Sequence, residues 1–293
     1  METLKECPVC GNQNRSVFLS TKDWFLTQEE FSVEQCDNCG FLFTNPRPLA
    51  DNIGQYYKSE EYISHSNTNK GIISQLYKIV RGFTLKQKYD LVRQYKSGKN
   101  ILDIGSGTGE LLNFFKGSGW NVQGIEPDSD ARNYSVQTYS IPVEDESHIF
   151  ELTDNSFDVI TMWHVLEHVP NLNDRIQTIR RLLKNDGILL VAVPNPESFD
   201  AKKYGEYWAA YDLPRHLYHF KKKNIKALFA KHDMNIKDIY PMKFDSFYVS
   251  MLSEKYKKGK SNLLSAFLTG LKSNSKAHSI MNYSSLIYIL EKN

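Results

Sequence analysis

The chain has 293 residues, of which 41% are hydrophobic and 24% charged, and its formal net charge is +2. This composition is ordinary for a soluble globular protein, and the length exceeds that of one typical domain. No stretch approaches the roughly 18 apolar residues of a membrane-spanning helix. The first residues also lack the basic and apolar regions of a secretory signal, so we expect a cytoplasmic protein with no transmembrane segment.

Charge is unevenly distributed along the chain. Residues 1–50 contain 4 basic and 7 acidic side chains (net −3), whereas residues 196–293 contain 17 basic and 9 acidic side chains (net +8). A basic C-terminal third suits an acidic substrate such as a phosphate-bearing one. The lysine clusters at 221–223 and 255–260 fit an ordinary solvated surface as well.

All four cysteines lie in the first forty residues, as two C-x2-C pairs: Cys7 with Cys10, and Cys36 with Cys39. Each pair is followed by glycine, so the turn can direct both sulfurs at one tetrahedral ion. Two disulfides are the alternative, which a cytosolic chain disfavours. Because four thiolates close the coordination sphere, we expect a structural zinc ribbon over residues 1–48.

Pro46 and Pro48 end the predicted ribbon, since each fixes φ and removes a backbone donor. Residues 49–98 are predicted to form a helical linker, with helix-like apolar spacing over residues 72–95. A tyrosine-rich polar stretch precedes that helix, and its side chains either face a substrate or pack in the ordinary way. The tyrosines concerned are Tyr56, Tyr57 and Tyr62.

A strand, a glycine-rich turn and a helix follow one another at residues 101–110, ILDIGSGTGE. Gly105, Gly107 and Gly109 allow a tight turn and the close approach of a ligand. Free N–H groups at the helix start favour a polar or anionic ligand group. Glu126 ends the next apolar run, where its carboxylate can accept hydrogen bonds from both ribose hydroxyls. The pattern favours an adenosine-containing cofactor, and a flexible turn is the alternative.

Here the sequence resembles class I S-adenosylmethionine-dependent methyltransferases. ILDIGSGTGE is similar to their first motif, GIEPD to their acidic ribose-binding motif, and SFDVITMWHVLEHV to their fourth strand and the following turn. The resemblance covers residues 85–293. It implies an α/β fold with a doubly wound, mostly parallel, Rossmann-like sheet whose last strand is antiparallel, in a methyltransferase domain at residues 99–293. It also implies that the linker at 49–98 caps the substrate opening.

The resemblance implies S-adenosyl-L-methionine as the cofactor. Asp103 precedes the turn and can receive the cationic amine of this cofactor, while Asp145 or Glu146 can accept from the adenine amino group. Trp163 and His164 border the cofactor. The complete predicted cofactor site is Asp103, Gly105, Ser106, Gly107, Gly109, Glu126, Pro127, Asp145, Glu146, Trp163 and His164.

The remaining elements alternate between strand and helix, which indicates a parallel doubly wound sheet. A helix from Leu172 to Lys184 is predicted to end at Asn185-Asp186-Gly187. The amphipathic segment SNLLSAFLTGL is predicted to form a core helix. Alternatively, this segment contacts a membrane surface or a partner. The predicted strands after the glycine turn are 120–126, 141–143, 157–162, 188–193, 236–241 and 284–290.

His164, Glu167 and His168 follow the fourth strand at spacing i, i+3, i+4, on one face if that stretch is helical. Such a face is a plausible half-site for a divalent metal. It resembles the E-x-x-E-H metal site of small-RNA 2′-O-methyltransferases and quinone O-methyltransferases, with His164 in place of the first glutamate. Alternatively, Glu167 and His168 only fix the turn.

A second group of candidates lies near the fifth strand. Arg215 offers a planar fork for phosphate or carboxylate, and His216 titrates near neutrality and is a candidate base. His219 is expected to cap a helix, since a similar H-L-x-H-F run in many of these enzymes begins one. The predicted catalytic residues are His216, His164, Arg215 and His168.

We therefore expect a methyltransferase that O-methylates a small anionic acceptor, such as a nucleotide-linked sugar or a polysaccharide precursor, with His216 or His164 as base. An RNA methyltransferase docking through the ribbon and the basic C-terminal third is one alternative, which the acidic ribbon opposes. A non-catalytic, cofactor-binding interaction protein is another. The acceptor, the methylated atom and the oligomeric state stay open at this point.

Overall fold

The computed structural model describes residues 1–57, 72–96 and 98–293. Tyr62, one of the tyrosines predicted to face the substrate, lies outside the described residues. Two sheets organise the described part of the chain, one with four strands and one with seven.

The four-stranded sheet is antiparallel and has the order β1-β2-β3-β9. β1 (Arg15–Lys22) and β2 (Glu30–Cys36) form a hairpin, and β2 turns Phe31 and Val33 into the interior by the alternation of a half-buried strand. β3 (Leu42–Thr44) pairs with β2 and with β9 (Tyr218–His219). The sheet that follows the first cysteine pair therefore takes its last strand from a distant part of the chain.

This pairing corrects one prediction. His219 was expected to cap a helix, but it lies buried in β9, opposite Leu42 of β3. The next helix begins at Lys222 after an N-cap at Lys221. The sequence pattern was misleading because the partner strand is more than 170 residues away in the chain.

The seven-stranded sheet has the order β10-β11-β8-β7-β4-β5-β6. β4 pairs in parallel with β5 and with β7, and β5 pairs in parallel with β6. One strand of this mostly parallel sheet runs antiparallel, which confirms the predicted Rossmann-like fold class. The strands are β4 (Asn100–Ile104), β5 (Asn121–Ile125), β6 (Val143–Glu144), β7 (Phe157–Trp163), β8 (Leu183–Pro194), β10 (Met234–Pro241) and β11 (Ser285–Lys292).

Eight α-helices occur among the described residues, with short 3-10 turns between some of them. The helices are α1 (Ile72–Tyr95), α2 (Glu110–Gly117), α3 (Ser129–Tyr139), α4 (Leu172–Leu182), α5 (Phe199–Tyr204), α6 (Lys222–Ala230), α7 (Asp245–Lys258) and α8 (Leu263–Ala277).

Two helix predictions were wrong. The helix expected to reach Lys184 ends at Leu182, because the carbonyls of Arg181 and Leu182 accept hydrogen bonds from Asn155 and Ser156 just before β7. The segment SNLLSAFLTGL does form a helix, α8, but its large apolar side chains are exposed and do not form a core.

The chain divides into two compact units. One comprises residues 1–59, 164–173 and 192–288, and the other comprises residues 60–163, 174–191 and 289–293. The first has an aromatic-rich core that includes Phe31, Tyr56, Trp208 and Tyr211. In the second, the parallel strands bury apolar runs such as Ile101, Leu102 and Ile104. The boundaries expected at residues 48 and 98 stay predictions.

Candidate active site

The glycine turn has the backbone conformation that its sequence predicts. Gly105, Gly107 and Gly109 have φ angles of +72°, +53° and +82°, a region that side chains with a β-carbon rarely adopt. A β-carbon at Gly109 would also overlap the Ser135 hydroxyl. The turn therefore requires glycine, and α2 begins directly after it at Glu110.

Glu126 is joined to this turn by its side chain. Its carboxylate accepts hydrogen bonds from the backbone N–H of Gly107, at 2.8 Å, and from that of Asp128, at 2.9 Å. The side chain is largely buried, and that burial raises its pKa. Because β4 and β5 are parallel neighbours, the glycine turn and Glu126 both follow the carboxyl ends of strands, where ligands of such sheets bind.

Asp103 lies at the end of β4, in register with Thr161 of the parallel strand β7. It is buried and accepts a hydrogen bond from the Thr161 hydroxyl at 2.5 Å. Burial raises the pKa of Asp103 to about 6, although the bond from Thr161 and the charge of Lys88 both oppose the shift. A buried carboxylate of this kind is suited to pairing with a cation.

The other predicted cofactor residues have different surroundings. The Ser106 hydroxyl and the Trp163 indole N–H are buried without a hydrogen-bond partner among the described residues, which leaves polar atoms for a ligand to satisfy. Asp145 is exposed and accepts from the backbone and hydroxyl of Ser147, while Glu146 pairs with Arg175. The Pro127 carbonyl accepts from Arg132.

His164 directly follows β7 and has a φ of +58°, a strained conformation for a residue with a β-carbon. Its Nδ1 lies 3.3 Å from Glu167 and its Nε2 lies 3.0 Å from Asp245. Burial lowers the pKa of His164, but these two carboxylates outweigh that effect and raise it to about 10. The side chain is therefore an imidazolium held between two carboxylates at neutral pH.

Glu167, His168 and His216 form a second cluster, in which one ligand atom from each residue lies within 4.8 Å of the others. Glu167 is fully buried, its pKa is lowered, and its Oε2 has no hydrogen-bond partner among the described residues. The sequence suggested a helical face here, and the structure has a single 3-10 turn, Leu166–His168.

Backbone carbonyls fix the tautomers of both histidines. His168 Nδ1 lies 3.0 Å from the Arg215 carbonyl, and His216 Nδ1 lies 2.9 Å from the Ala210 carbonyl. Since a carbonyl only accepts, each Nδ1 carries a proton, and in the neutral form of either ring Nε2 is the nitrogen with the lone pair. Burial, together with the neighbouring His216, lowers the pKa of His168 to about 4, so this ring is neutral at pH 7.

Arg215 is buried, and its guanidinium binds other groups of the protein. It donates to Asp212 at 2.7 Å and 3.0 Å, to Asp23 at 2.8 Å and to the Tyr56 carbonyl at 2.9 Å. The Phe25 ring lies 4.8 Å from it. The fork that the sequence suggested for an anion is thus occupied by residues of the same compact unit, and it holds the segment that carries His216.

Sequence reasoning missed three residues that contact the candidate residues. Asp212 is only four residues before His216 and could have been found from that spacing. Tyr57, whose hydroxyl lies 2.9 Å from His168 Nδ1, was named as one of three tyrosine candidates. Asp23 lies in the turn between β1 and β2 and Asp245 begins α7, and no local signal connects either to the histidines.

The four cysteines of the first unit converge on one point. Cys7 Sγ lies 3.5 Å from Cys39 Sγ, Cys10 Sγ lies 3.5 Å from Cys36 Sγ, and all four cysteines are free. The two turns are alike, since the N–H of Gly11 donates to the Cys7 carbonyl and that of Gly40 to the Cys36 carbonyl, each at 2.8 Å. These four sulfurs form a group that can hold a metal ion.

None of the described helices combines the length and the apolar character that crossing a membrane requires.

A mostly parallel sheet with a glycine turn after β4 and an acidic side chain after β5 fits the class of S-adenosylmethionine-dependent methyltransferases. The family model described as a methyltransferase domain matches residues 82–238, and the chain belongs to this family.

Two relatives and one solved structure illustrate the relationship. The ubiquinone biosynthesis O-methyltransferase of Glaesserella parasuis is 36% identical over 141 residues, covering 43% of this chain and 58% of the relative. The protein of the same name from Dechloromonas aromatica is 30% identical over 179 residues, covering 56% of this chain and 74% of the relative. The solved structure is that of the magnesium protoporphyrin IX methyltransferase of Synechocystis with bound SAH, which has a TM-score of 0.53 and 12% sequence identity. The match covers 82% of this chain and 97% of the Synechocystis chain. At this identity the likeness shows the fold alone.

Proposed function

We propose that this chain transfers a methyl group from S-adenosyl-L-methionine to a hydroxyl group of a small acceptor. The observation that carries the proposal is the cluster of Glu167, His168 and His216, in the segments that follow β7 and β8, with one ligand atom of each within 4.8 Å of the others. The relatives named as O-methyltransferases support a hydroxyl acceptor, although the Glaesserella protein is matched over only 58% of its length.

In this proposal the cofactor occupies the carboxyl ends of β4 and β5. Asp103 receives its amine, the glycine turn admits its backbone, and Glu126 accepts from its ribose hydroxyls through lone pairs left by the two N–H bonds. Ser106 Oγ and Trp163 Nε1 supply further polar atoms that have no partner among the described residues. Asp145 is preferred to Glu146 for the adenine amino group, because Glu146 pairs with Arg175.

Methyl transfer is an in-line displacement in which the acceptor oxygen forms a bond to the methyl carbon as the carbon–sulfur bond breaks. The hydroxyl must lose its proton, and we assign that proton to His216 Nε2, which has a free lone pair because Nδ1 donates to Ala210. His164 is protonated near pH 7 and therefore positions Glu167 instead of acting as the base.

The proposal does not include an anionic acceptor. Arg215, which was expected to bind the anion, instead pairs with Asp212 and Asp23. RNA docking is not favoured either. Lys221 donates to the Gly40 carbonyl and Lys222 to the Ile280 carbonyl, so two of the three clustered lysines are tied to the protein.

A second role is possible for the same three side chains. One carboxylate oxygen and two imidazole nitrogens suit a divalent cation, and the buried Glu167 Oε2 without a partner fits that set. A bound cation would lower the pKa of an acceptor hydroxyl. Glu167, His168 and His216 would hold it, with the carbonyls of Arg215 and Ala210 orienting the rings.

The proposed reaction is tested with labelled cofactor, a panel of phenols, catechols and sugar nucleotides, and fractionated cell extract. Label should enter a hydroxyl compound, and His216→Ala should lower kcat by roughly a hundredfold or more while the cofactor Kd measured by calorimetry stays unchanged. His278→Ala, at an exposed histidine, serves as the matched control. Equal losses of turnover and cofactor affinity in His216→Ala would show a structural role.

The cation role is tested by titrating the protein, with zinc kept on the four cysteines, with Co²⁺. If the three side chains hold a cation, a weak visible absorption band of cobalt bound to nitrogen and oxygen should appear in the wild type and be lost in Glu167→Gln, and activity should rise with added divalent metal. Full activity of the zinc-loaded protein without added metal, and no such cobalt band, would leave His216 as a base only.

We also propose that the four cysteines hold one structural zinc. The support is their convergence and the matched glycine turns behind each pair.

A further inference from the structure

Helix α8 (Leu263–Ala277) is amphipathic, but it reverses the usual pattern in which large apolar side chains are buried. Its buried side is made of small residues, and its outward side carries large apolar ones that are between 45% and 70% exposed. The buried residues are Ala266, Thr269, Gly270, Ser273 and Ala277. The exposed ones are Leu263, Leu264, Phe267, Leu268 and Leu271.

Packing fixes this orientation of the helix. A β-carbon at Gly270 would lie 2.5 Å from the ring of Phe247 on α7, so only glycine fits there. Ser273 donates a hydrogen bond of 2.6 Å to the buried Asp200, and Thr269 accepts one from Lys203. The leucines cannot turn inward without breaking these contacts. A contiguous apolar face of this kind marks an interaction surface.

The charge around this face has one sign. From residue 255 to residue 280 the chain has six lysines and no aspartate or glutamate. All six are exposed, and within the described parts of the chain only Lys258 forms an ion pair with a carboxylate, that of Glu254. Four lie before the helix, and the other two lie in its second half with their ammonium groups 5.4 Å and 4.6 Å from the ring of Phe199: Lys255, Lys257, Lys258, Lys260, Lys272 and Lys276.

Charge decides between the possible occupants of this face. In a two-fold contact between copies the same surface meets itself, so lysines near both ends of the helix would add like charges to the interface. An anionic lipid surface offers acyl chains to the leucines and phosphate to the lysines, which is the arrangement of helices that lie in the membrane interface.

We propose that α8 docks the protein onto an anionic membrane surface. Leu264, Phe267 and Leu268 enter the boundary between headgroups and acyl chains, and the six lysines contact the headgroups. The helix lies parallel to the surface and does not cross it. This inference is independent of the proposed methyl transfer, since it rests on α8 and its contacts with α5 and α7.

The test is flotation of the full chain with vesicles of phosphatidylcholine alone or with three-tenths phosphatidylglycerol. The wild type should float with the anionic vesicles, and binding should fall with added salt. Leu264→Gln/Leu268→Gln should weaken binding at least tenfold. Lys257→Glu/Lys260→Glu should also weaken binding, since each lysine near an anionic surface contributes roughly fivefold to the affinity.

Val17→Gln is the matched control, because Val17 is an exposed apolar residue on β1, and it should bind like the wild type. Unchanged cofactor affinity by calorimetry confirms that each variant is folded. The proposal is overturned if the wild type floats with neither vesicle, or if the leucine variant floats as well as the wild type. A wild-type dimer that the leucine substitutions convert to monomer, with no lipid binding, would assign the face to a second copy.

Discussion

At the residue scale, the fold shifts the ionisation of several candidate residues in opposite directions. Burial raises the pKa of Asp103 to about 6, whereas two carboxylates raise that of His164 to about 10 and burial lowers that of His168 to about 4. Near pH 7 the result is an ionised Asp103, a charged His164 and a neutral His168. Divergent shifts of this kind are common where proton transfer and charge recognition take place.

Cofactor affinity should depend on pH through Asp103. The carboxylate is ionised above pH 6 and becomes neutral as the pH falls through its pKa, so attraction for the cofactor amine is lost on the acid side. We expect Kd to be roughly tenfold higher at pH 5 than at pH 8, measured by calorimetry. Asp103→Asn should bind weakly at both values. A variant that kept the wild-type pH dependence would assign the effect to another group.

The residues of the site were predictable to different degrees. Asp103, the glycines and Glu126 could be found because they lie within one stretch of 24 residues, on two consecutive strands and the turns that follow them. Asp23 and Asp245 could not, because they reach Arg215 and His164 through turns and helices distant in the chain. Arg215 was identified as important, but its partners, and hence its positioning role, were not visible.

At the scale of elements, the N-terminal hairpin contacts both the cysteine cluster and the segment that carries Arg215. Its cysteine turns lie at one end of β2, and the turn between β1 and β2 carries Asp23 to Arg215 at the other. The sheet is completed by β9, two residues beyond His216. We infer that the ribbon supports the acceptor side of the site, and metal loading should therefore affect more than the first forty residues.

The purified protein should contain about one zinc per chain. Removing it with chelator should lower the melting temperature by roughly 10 °C or more, because metal binding supplies folding free energy to a small sheet. Cys36→Ser, at a fully buried ligand, should lose the zinc and show the same lower melting temperature. The chelator should then have no further effect on that variant. Metal analysis that finds no zinc in the wild type would contradict the proposal that the four cysteines form a zinc ribbon.

At the scale of the whole molecule, the strand order β10-β11-β8-β7-β4-β5-β6 could be anticipated only as a class. Alternating strand and helix patterns indicated a parallel doubly wound sheet, and the fold class was confirmed. The wrong predictions, His219 as a helix cap and SNLLSAFLTGL as a core helix, both concern elements whose environment is made by distant segments. Periodicity identifies an apolar face but does not say which side of a helix its neighbours will cover.

The sequence by itself determined the cofactor motif, the two cysteine pairs and the class of fold, because each depends on residues close together in the chain and on backbone conformations that few residue types allow. Only the tertiary structure decided the ionisation of the histidines, the partners of Arg215 and the outward face of α8. Those properties depend on burial and on contacts between segments up to 192 residues apart, such as Arg215 with Asp23, which no local pattern encodes.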